Sequence, residues 1–331
     1  MEIVRYQDSF EKAWDRFIDK DSINGTLLQT RRFLNYHEEG RFEDYSLLVM
    51  KGSNIVAVIP GNCVIEEGKK IFYSHQGSTF GGIIVGRQYK KISDIEVIID
   101  LFEQYLENQL FNEIILKQTS ELYSDDEFEM LYYMLFTRGY QSMLEVGYYI
   151  DLKKIIPDAI EKSFSESRRR HYKSSLKNSL SFRELKSEEE IRSFYQILLN
   201  NMTKFNTKPI HTCKELLDLY QNRISESIRF FGVFEQKEIV AGSMVFDFHQ
   251  KVFHTQYLAS NQEKLQLYPN EFLYYSLIEK AIMDKYPYIS FGTATLEHGK
   301  VLNKSLAQFK EGFGTKQYVN YTFCKNSPFD S

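Results

Sequence analysis

Two stretches, YSLLVMKGSNIVAVIPGN (45–62) and IRFFGVFEQKEIVAGSMVFDF (228–248), decide how this 331-residue chain is organised. The first sets two β-rich runs about the turn-forming cluster Gly52-Ser53-Asn54 and reads as a β-hairpin; the second has the same layout. Ile55-Val56-Ala57 corresponds to Ile239-Val240-Ala241 at an offset of 184 residues. The correspondence continues downstream. An aromatic strand follows each hairpin, KKIFYSHQ (69–76) and KVFHTQYLA (251–259). Next comes a helix with apolar residues three and four apart, IEVIIDLFEQYLENQLF (95–111) and NEFLYYSLIEKAIMDKY (270–286). A closing strand ends each series, NEIILKQ (112–118) and YPYISFGT (286–293). Four elements repeated in one order, at a spacing far above a solenoid period, indicate a duplicated domain. A meander followed by a helix and a parallel strand is an α+β (mixed α/β) unit. The join is expected near Tyr149 to Pro157, where SMLEVGYYIDL ends and IIPDAIEKSF opens a helical stretch with Pro157 in its first turn.

The bulk properties agree. A chain of 331 residues exceeds one comfortable core and suits two domains. With 43% hydrophobic and 26% charged residues and only 6 prolines, it is expected to fold throughout. A formal net charge of -4 argues against a generally basic nucleic-acid coat, so any RNA contact must be a local patch. Cys63, Cys213 and Cys324 are isolated thiols, as in a reducing compartment. The charged N-terminal stretch has no apolar core, and nowhere do about 18 apolar residues run together. A cytoplasmic protein without a transmembrane segment is expected.

Several stretches are candidates for chemistry. In SESRRRHYKSSLKN (165–178), helical spacing puts Arg169, Lys173 and Lys177 on one face, suited to phosphates or simply solvated. Lys204 and Lys208 add cations further on. HQGSTFGGIIVG (75–86) lacks the Lys-Ser/Thr of a phosphate loop, so Gly81 and Gly82 are expected to serve positive φ or close backbone approach. No H-E-x-x-H spacing is present and no metal site is expected; the absence of G-x-S-x-G disfavours a serine hydrolase elbow. The block ISFGTATLEHGKVLNKSLAQFKEGFG (289–314) is the most informative. A strand ends at Phe291-Gly292, Asn303 is suited to cap a helix, and Gly312 to end it. Leu306, Phe309 and Phe313 form its apolar face, with Lys310 at the edge. Two readings stand open for Lys310: a snorkelling lysine with its ammonium in water, or a cation at a cleft edge meeting a phosphate or a developing oxyanion. Both leave the ammonium unburied.

The order of strand ending in FG, variable loop, N-x-x-L and FKEGFG resembles the end of the Fem family, the aminoacyl-tRNA-dependent transferases of peptidoglycan interpeptide bridges, and their FemAB-like acyltransferase relatives in the GNAT superfamily. LLQTRRFL (27–34), STFGGIIV (78–85), RRRHYKSSLKN (168–178) and YLASNQEKLQLYPNEFLYYSLIEKA (257–281) stand in that family's order. The resemblance implies two tandem GNAT-like domains, residues 1–152 and 153–315, with 316–331 a C-terminal strand returning to the first. It also implies acyl or aminoacyl transfer to a primary amine of a cell-envelope precursor, the amine attacking an ester or thioester without a covalent enzyme intermediate. By the same resemblance Lys310 is the functional lysine, and Phe309, Phe313 and Gly314 shape the channel. Tyr257, Tyr268 and Lys204 then bind substrate, and Arg169, Lys173 and Lys177 contact phosphate or tRNA. The donor is aminoacyl-tRNA or acyl-CoA, neither a tightly bound cofactor. Where a coenzyme A dependent GNAT domain has a glycine-rich loop before its helix, this chain has LQLYPNEF (265–272). The alternatives are an acyl-CoA dependent N-acyltransferase acting on an amino sugar of a surface polysaccharide, and a non-catalytic binding module on the duplicated fold.

Overall fold

The computed structural model describes residues 1–38, 40–204 and 207–326; residues 327–331 of the expected C-terminal segment lie outside the described residues. The chain divides into two compact units, Met1–Glu145 together with the residues from Val319, and Val146–Tyr318.

The first unit contains β1 (Glu2–Arg5), α1 (Glu11–Arg16), α2 (Arg31–Leu34), β2 (Glu43–Asp44), β3 (Leu47–Lys51), β4 (Asn54–Ile59), β5 (Asn62–Glu66), β6 (Lys69–Tyr73), β7 (Ile84–Val85), α3 (Ile92–Asn108), β8 (Glu113–Lys117) and α4 (Glu129–Thr137). The expected hairpin is β3–β4, closed by the Lys51↔Asn54 pair around Gly52-Ser53, with Gly52 at φ +61°. Pro60 lacks the N–H that would continue β4. Gly61 lies so close to the Phe72 ring that a Cβ would come within 2.3 Å of it. The chain therefore leaves the sheet ordered β1-β3-β4-β7 and starts β5, a strand the sequence reading lacks, in a second layer ordered β2-β5-β6-β8. β6 and β8 run parallel, Tyr73 opposite Ile115, and α3 connects them. Ile95, Ile98, Ile99, Phe102 and Leu106 of α3 are buried against Phe72, Leu116 and Leu135.

β9 (Gln141–Asp151) passes into the second unit at Val146. That unit continues through α5 (Glu166–Ser175), β10 (Leu180–Leu185), α6 (Glu188–Thr203), α7 (Cys213–Asp218), β11 (Ile228–Glu235), β12 (Glu238–Phe248), β13 (Val252–Ser260), α8 (Pro269–Met283), β14 (Tyr288–Thr293), the small hairpin β15 (Thr295–Leu296) and β16 (Val301–Leu302), and α9 (Lys304–Glu311). Its strands lie in the order β10-β11-β12-β13-β14-β9, antiparallel except for β13 and β14. Pro157 stands in the first turn of the short helix that begins the segment after β9, as its fixed φ favours. The core gathers Phe231, Phe253, Leu273, Tyr274, Leu277, Ile289, Phe291 and Phe313. β17 (Lys316–Asn326) belongs to the first unit from Val319 and pairs antiparallel with β8, Thr322 opposite Lys117. Both units are mixed α/β, as the repeat predicts.

Candidate active site around Lys310

Asn303 caps α9, its Oδ1 accepting the Leu306 N–H at 3.1 Å. One side of the helix faces the core through Ala307, Lys310 and the following Phe313. Lys310 is thus only 5% exposed, which corrects the expectation that its ammonium projects from the helix edge. The burial is tolerated because Nζ donates to the Thr293 carbonyl at 2.6 Å, a partner supplied by the turning end of β14. Burial also lowers the Lys310 pKa to about 7. Near neutral pH the group can both carry and release a proton.

The other wall comes from the parallel strands. His254 of β13 lies opposite Ser290 of β14. Beyond Ser290 the register against β9 slips by one residue at Phe291, and Gly292 adopts φ +70°. A Cβ on Gly292 would lie 3.6 Å from His254 Cε1 and 4.0 Å from Lys310 Nζ, so the glycine leaves a small space bordered by both groups. His254 Nδ1 is 3.1 Å from Ser290 Oγ, which accepts the Gly292 N–H at 3.2 Å and lies 3.3 Å from the Tyr318 hydroxyl. Burial, and next the Lys310 charge, lower the His254 pKa to about 4, so between that and the Lys310 pKa of about 7 the imidazole is neutral while Lys310 is protonated. A cation and a neutral ring therefore flank one space, an arrangement able to stabilise negative charge developing on a carbonyl oxygen.

Aromatic rings support α9: Tyr274 lies 4.4 Å from Phe313 and 5.6 Å from Phe309, and Phe164 lies 5.1 Å from Phe313. Arg168 of α5 stacks its guanidinium 4.2 Å from the Phe309 ring centre and pairs with the buried Glu271 in the first turn of α8. His171 Nδ1 is 3.4 Å from the same carboxylate, and its ring stacks on Tyr268 at 4.6 Å.

The structure therefore gathers Lys310, Phe309, Phe313 and Tyr268 around one network, and places other candidates elsewhere. Gly314, at φ +78°, packs on the Ser163 carbonyl, which a Cβ would approach to 2.3 Å; it turns the chain after α9. Tyr257 is buried with its hydroxyl 2.8 Å from His211 Nδ1, and burial raises its pKa to about 12. Lys204 is exposed beyond α6, at a cavity of about 240 Å³ between Asn201, Leu258 and Asn270. Of the face expected for Arg169, Lys173 and Lys177, α5 carries the first two, four residues apart. Arg169 turns back to donate to the Phe164 carbonyl at 3.2 Å, and α5 ends before Lys177; the exposed cations are Arg170, Lys173 and Lys177. Gly81 and Gly82 serve close approach and positive φ as predicted, Gly81 against the Ser74 carbonyl and Gly82 at φ +74°. Sequence reasoning missed Arg168, Glu271, His254, Ser290 and Gly292 as a group. Arg168, inside the basic run, and Gly292, at the expected strand end, carried a visible signal.

No protein-family model and no curated protein sequence matches the chain. Among solved structures it is similar to FemX, with a TM-score of 0.71 at 13% identity over 100% of this chain and 98% of that one. The chain has a tandem GNAT fold. The tandem GNAT protein from the clavulanic acid biosynthesis pathway matches with a TM-score of 0.57 at 8% identity, over 98% of both chains. L-PGS from Bacillus licheniformis matches at 0.59 and 14% identity, over 96% of this chain and 91% of that one. At these identities the likeness is one of fold.

Proposed function

We propose that this chain is an acyltransferase that moves an aminoacyl or acyl group onto a primary amine, with Lys310 supplying the charge that meets the reacting carbonyl. The observation that carries this reading is the buried Lys310 ammonium bordering the space at Gly292. The neutral amine of the acceptor attacks the donor carbonyl, a C–N bond forms, and the carbonyl π pair moves onto oxygen. Lys310, with one N–H held by Thr293, has two left to stabilise that oxyanion. Collapse breaks the bond to the leaving group, which takes up a proton equivalent to the one lost by the amine. The half-buried Phe309 is the apolar group beside which the donor ester is held, backed from the core by the buried Phe313 at 5.3 Å.

The donor favoured by α8 is an aminoacyl ester of tRNA. A helix start beyond a parallel strand suits a diphosphate such as that of coenzyme A. Here Pro269 offers no N–H, and the buried Glu271 carboxylate already occupies the first turn with Arg168 and His171. A diphosphate would meet a carboxylate of its own sign. Exposed Arg170, Lys173 and Lys177 supply a short cationic patch for an RNA backbone. The resemblance to the Fem family directs the acceptor reading to a peptidoglycan-related cell-envelope precursor in the cytoplasm, with no tightly bound cofactor. Among the described residues no helix is long and apolar enough to cross a membrane.

The test offers labelled aminoacyl-tRNA with a nucleotide-linked muramyl peptide and, separately, labelled acyl-CoAs with amino sugars. Label transfer from tRNA that is lost in Lys310→Met supports the reading. Transfer from acyl-CoA alone would overturn the donor assignment, and transfer by Lys310→Met at the wild-type rate would overturn the role of Lys310.

A further inference from the structure

We propose that Arg168 is a positioning residue that holds Lys310 against the Thr293 carbonyl by clamping α9 to the first turn of α8. This inference rests on the reading of Lys310 as the reactive charge.

Arg168 touches three segments of the second unit at once. Its guanidinium pairs with Glu271 of α8, whose side chain is 6% exposed, and its face covers Phe309 at 4.2 Å and Phe313 at 5.4 Å. Its stem lies on Gly312, where a Cβ would come within 2.9 Å of Arg168 Cγ. The backbone adds a tie, the Ser165 N–H donating to the Gly312 carbonyl at 2.8 Å. Phe309 and Gly312 bracket Lys310 in the chain, so the contacts fix the last turn of α9 on both sides of the lysine.

Only a planar cation can do both tasks. A guanidinium pairs with a carboxylate in its plane while its face covers an aromatic ring; an ammonium is a point charge without a face. The basic run thus contains one arginine spent on internal architecture, whereas its neighbour Arg170 stays exposed. With the clamp loosened, the last turn of α9 gains freedom and water reaches Nζ. The Lys310 ammonium then titrates closer to an ordinary lysine. The ionisable group beside it is His254, across the space at Gly292, while Tyr274 lies against Phe309 and the Arg168–Glu271–His171 cluster lies beyond, so a change at Arg168 is readable against His254 as background.

The experiment needs no substrate. Trace acetic anhydride labels the folded protein across pH 5 to 11, and mass spectrometry reads the acetylated fraction at Lys310 and, as an internal reference, at exposed Lys173. Wild-type Lys310 is expected to titrate well below Lys173. Arg168→Lys keeps a charge for Glu271 but loses the stacked face, and Gly312→Ala pushes the arginine aside without deleting it. Each is expected to raise the Lys310 midpoint by about one pH unit, roughly a tenfold change in the neutral fraction. Leu277→Ala, a buried change away from the clamp, lowers the melting temperature and is expected to leave the midpoint alone. If wild-type Lys310 titrates like Lys173, the underlying reading of the site fails. If it titrates low and neither Arg168→Lys nor Gly312→Ala moves it, or if Leu277→Ala moves it equally, the clamp is overturned.

Discussion

The two units build the same parallel pair and finish it differently. In the first unit Tyr73 lies opposite Ile115, and the strand ends beyond them are sealed by the unit's own glycine segment. Gly81 donates its N–H to the Lys117 carbonyl at 2.8 Å, and Gln29 binds both the Gly81 carbonyl at 3.2 Å and Thr119 Oγ1 at 2.8 Å. In the second unit the corresponding pair is His254 and Ser290, and the strand beyond turns at Gly292 toward a buried lysine carried by α9. Burial depresses the pKa of Lys117 as well, yet Lys117 lies on the sealed strand itself. Duplication preserved the frame, and the loop after the strand decided whether its end became a plug or a site.

The largest expected effect separates the two lysines. Lys310→Met should lower transfer by about 100-fold or more, as for loss of an oxyanion partner, with the fold retained by circular dichroism. The same variant should be more stable than wild type by about 1–3 kcal/mol in urea at pH 6. The sign follows from the folded pKa of about 7 against the ordinary 10.5. Below pH 7 both states carry the ammonium, and the fold bears the full cost of burying it. Between about 7 and 10.5 only the unfolded chain stays protonated, so wild type gains stability as pH rises and the gap to Lys310→Met closes. A constant gap across that range would remove the burial argument.

The plug is tested by Gly81→Ala. The added Cβ would sit 1.6 Å from the Ser74 carbonyl, so backbone must move, and a loss of about 3 kcal/mol or more in denaturant unfolding is expected. Gly292→Ala should be milder for the fold, because its Cβ meets only ordinary contacts. The left-handed φ costs about 1–2 kcal/mol, and the methyl fills the reaction space, lowering transfer by about tenfold. Smallest of all is Lys117→Met, expected to change transfer by less than about twofold. A loss as large as that of Lys310→Met would erase the functional contrast between the units.

Much of the frame was legible. β-rich runs and turn chemistry located both hairpins, and the three-and-four spacing located α3 and α8, because those signals are local. β5 escaped the sequence reading, because Pro60-Gly61 ends one strand and passes the chain at once to another sheet. The site was less legible. Lys310 was found by its neighbours in sequence, but its burial depends on the Thr293 carbonyl, 17 residues earlier in the chain and brought close only by the strand end. His254 and Ser290 are 36 residues apart, and a parallel register carries no local signature. Arg168 was visible as part of a charge run. Which arginine of the three faces inward depended on where Glu271 came to lie, 103 residues away.

The sequence by itself determined the duplicated α/β frame and singled out the lysine of FKEGFG, because periodicity, turn residues and a charge among aromatics are properties of adjacent positions. Tertiary structure alone decided that this lysine is buried, that a glycine opens a space between it and His254, and that Arg168 braces rather than binds. Those outcomes depend on desolvation and on partners brought together by packing, and neither is encoded at any single position of the chain.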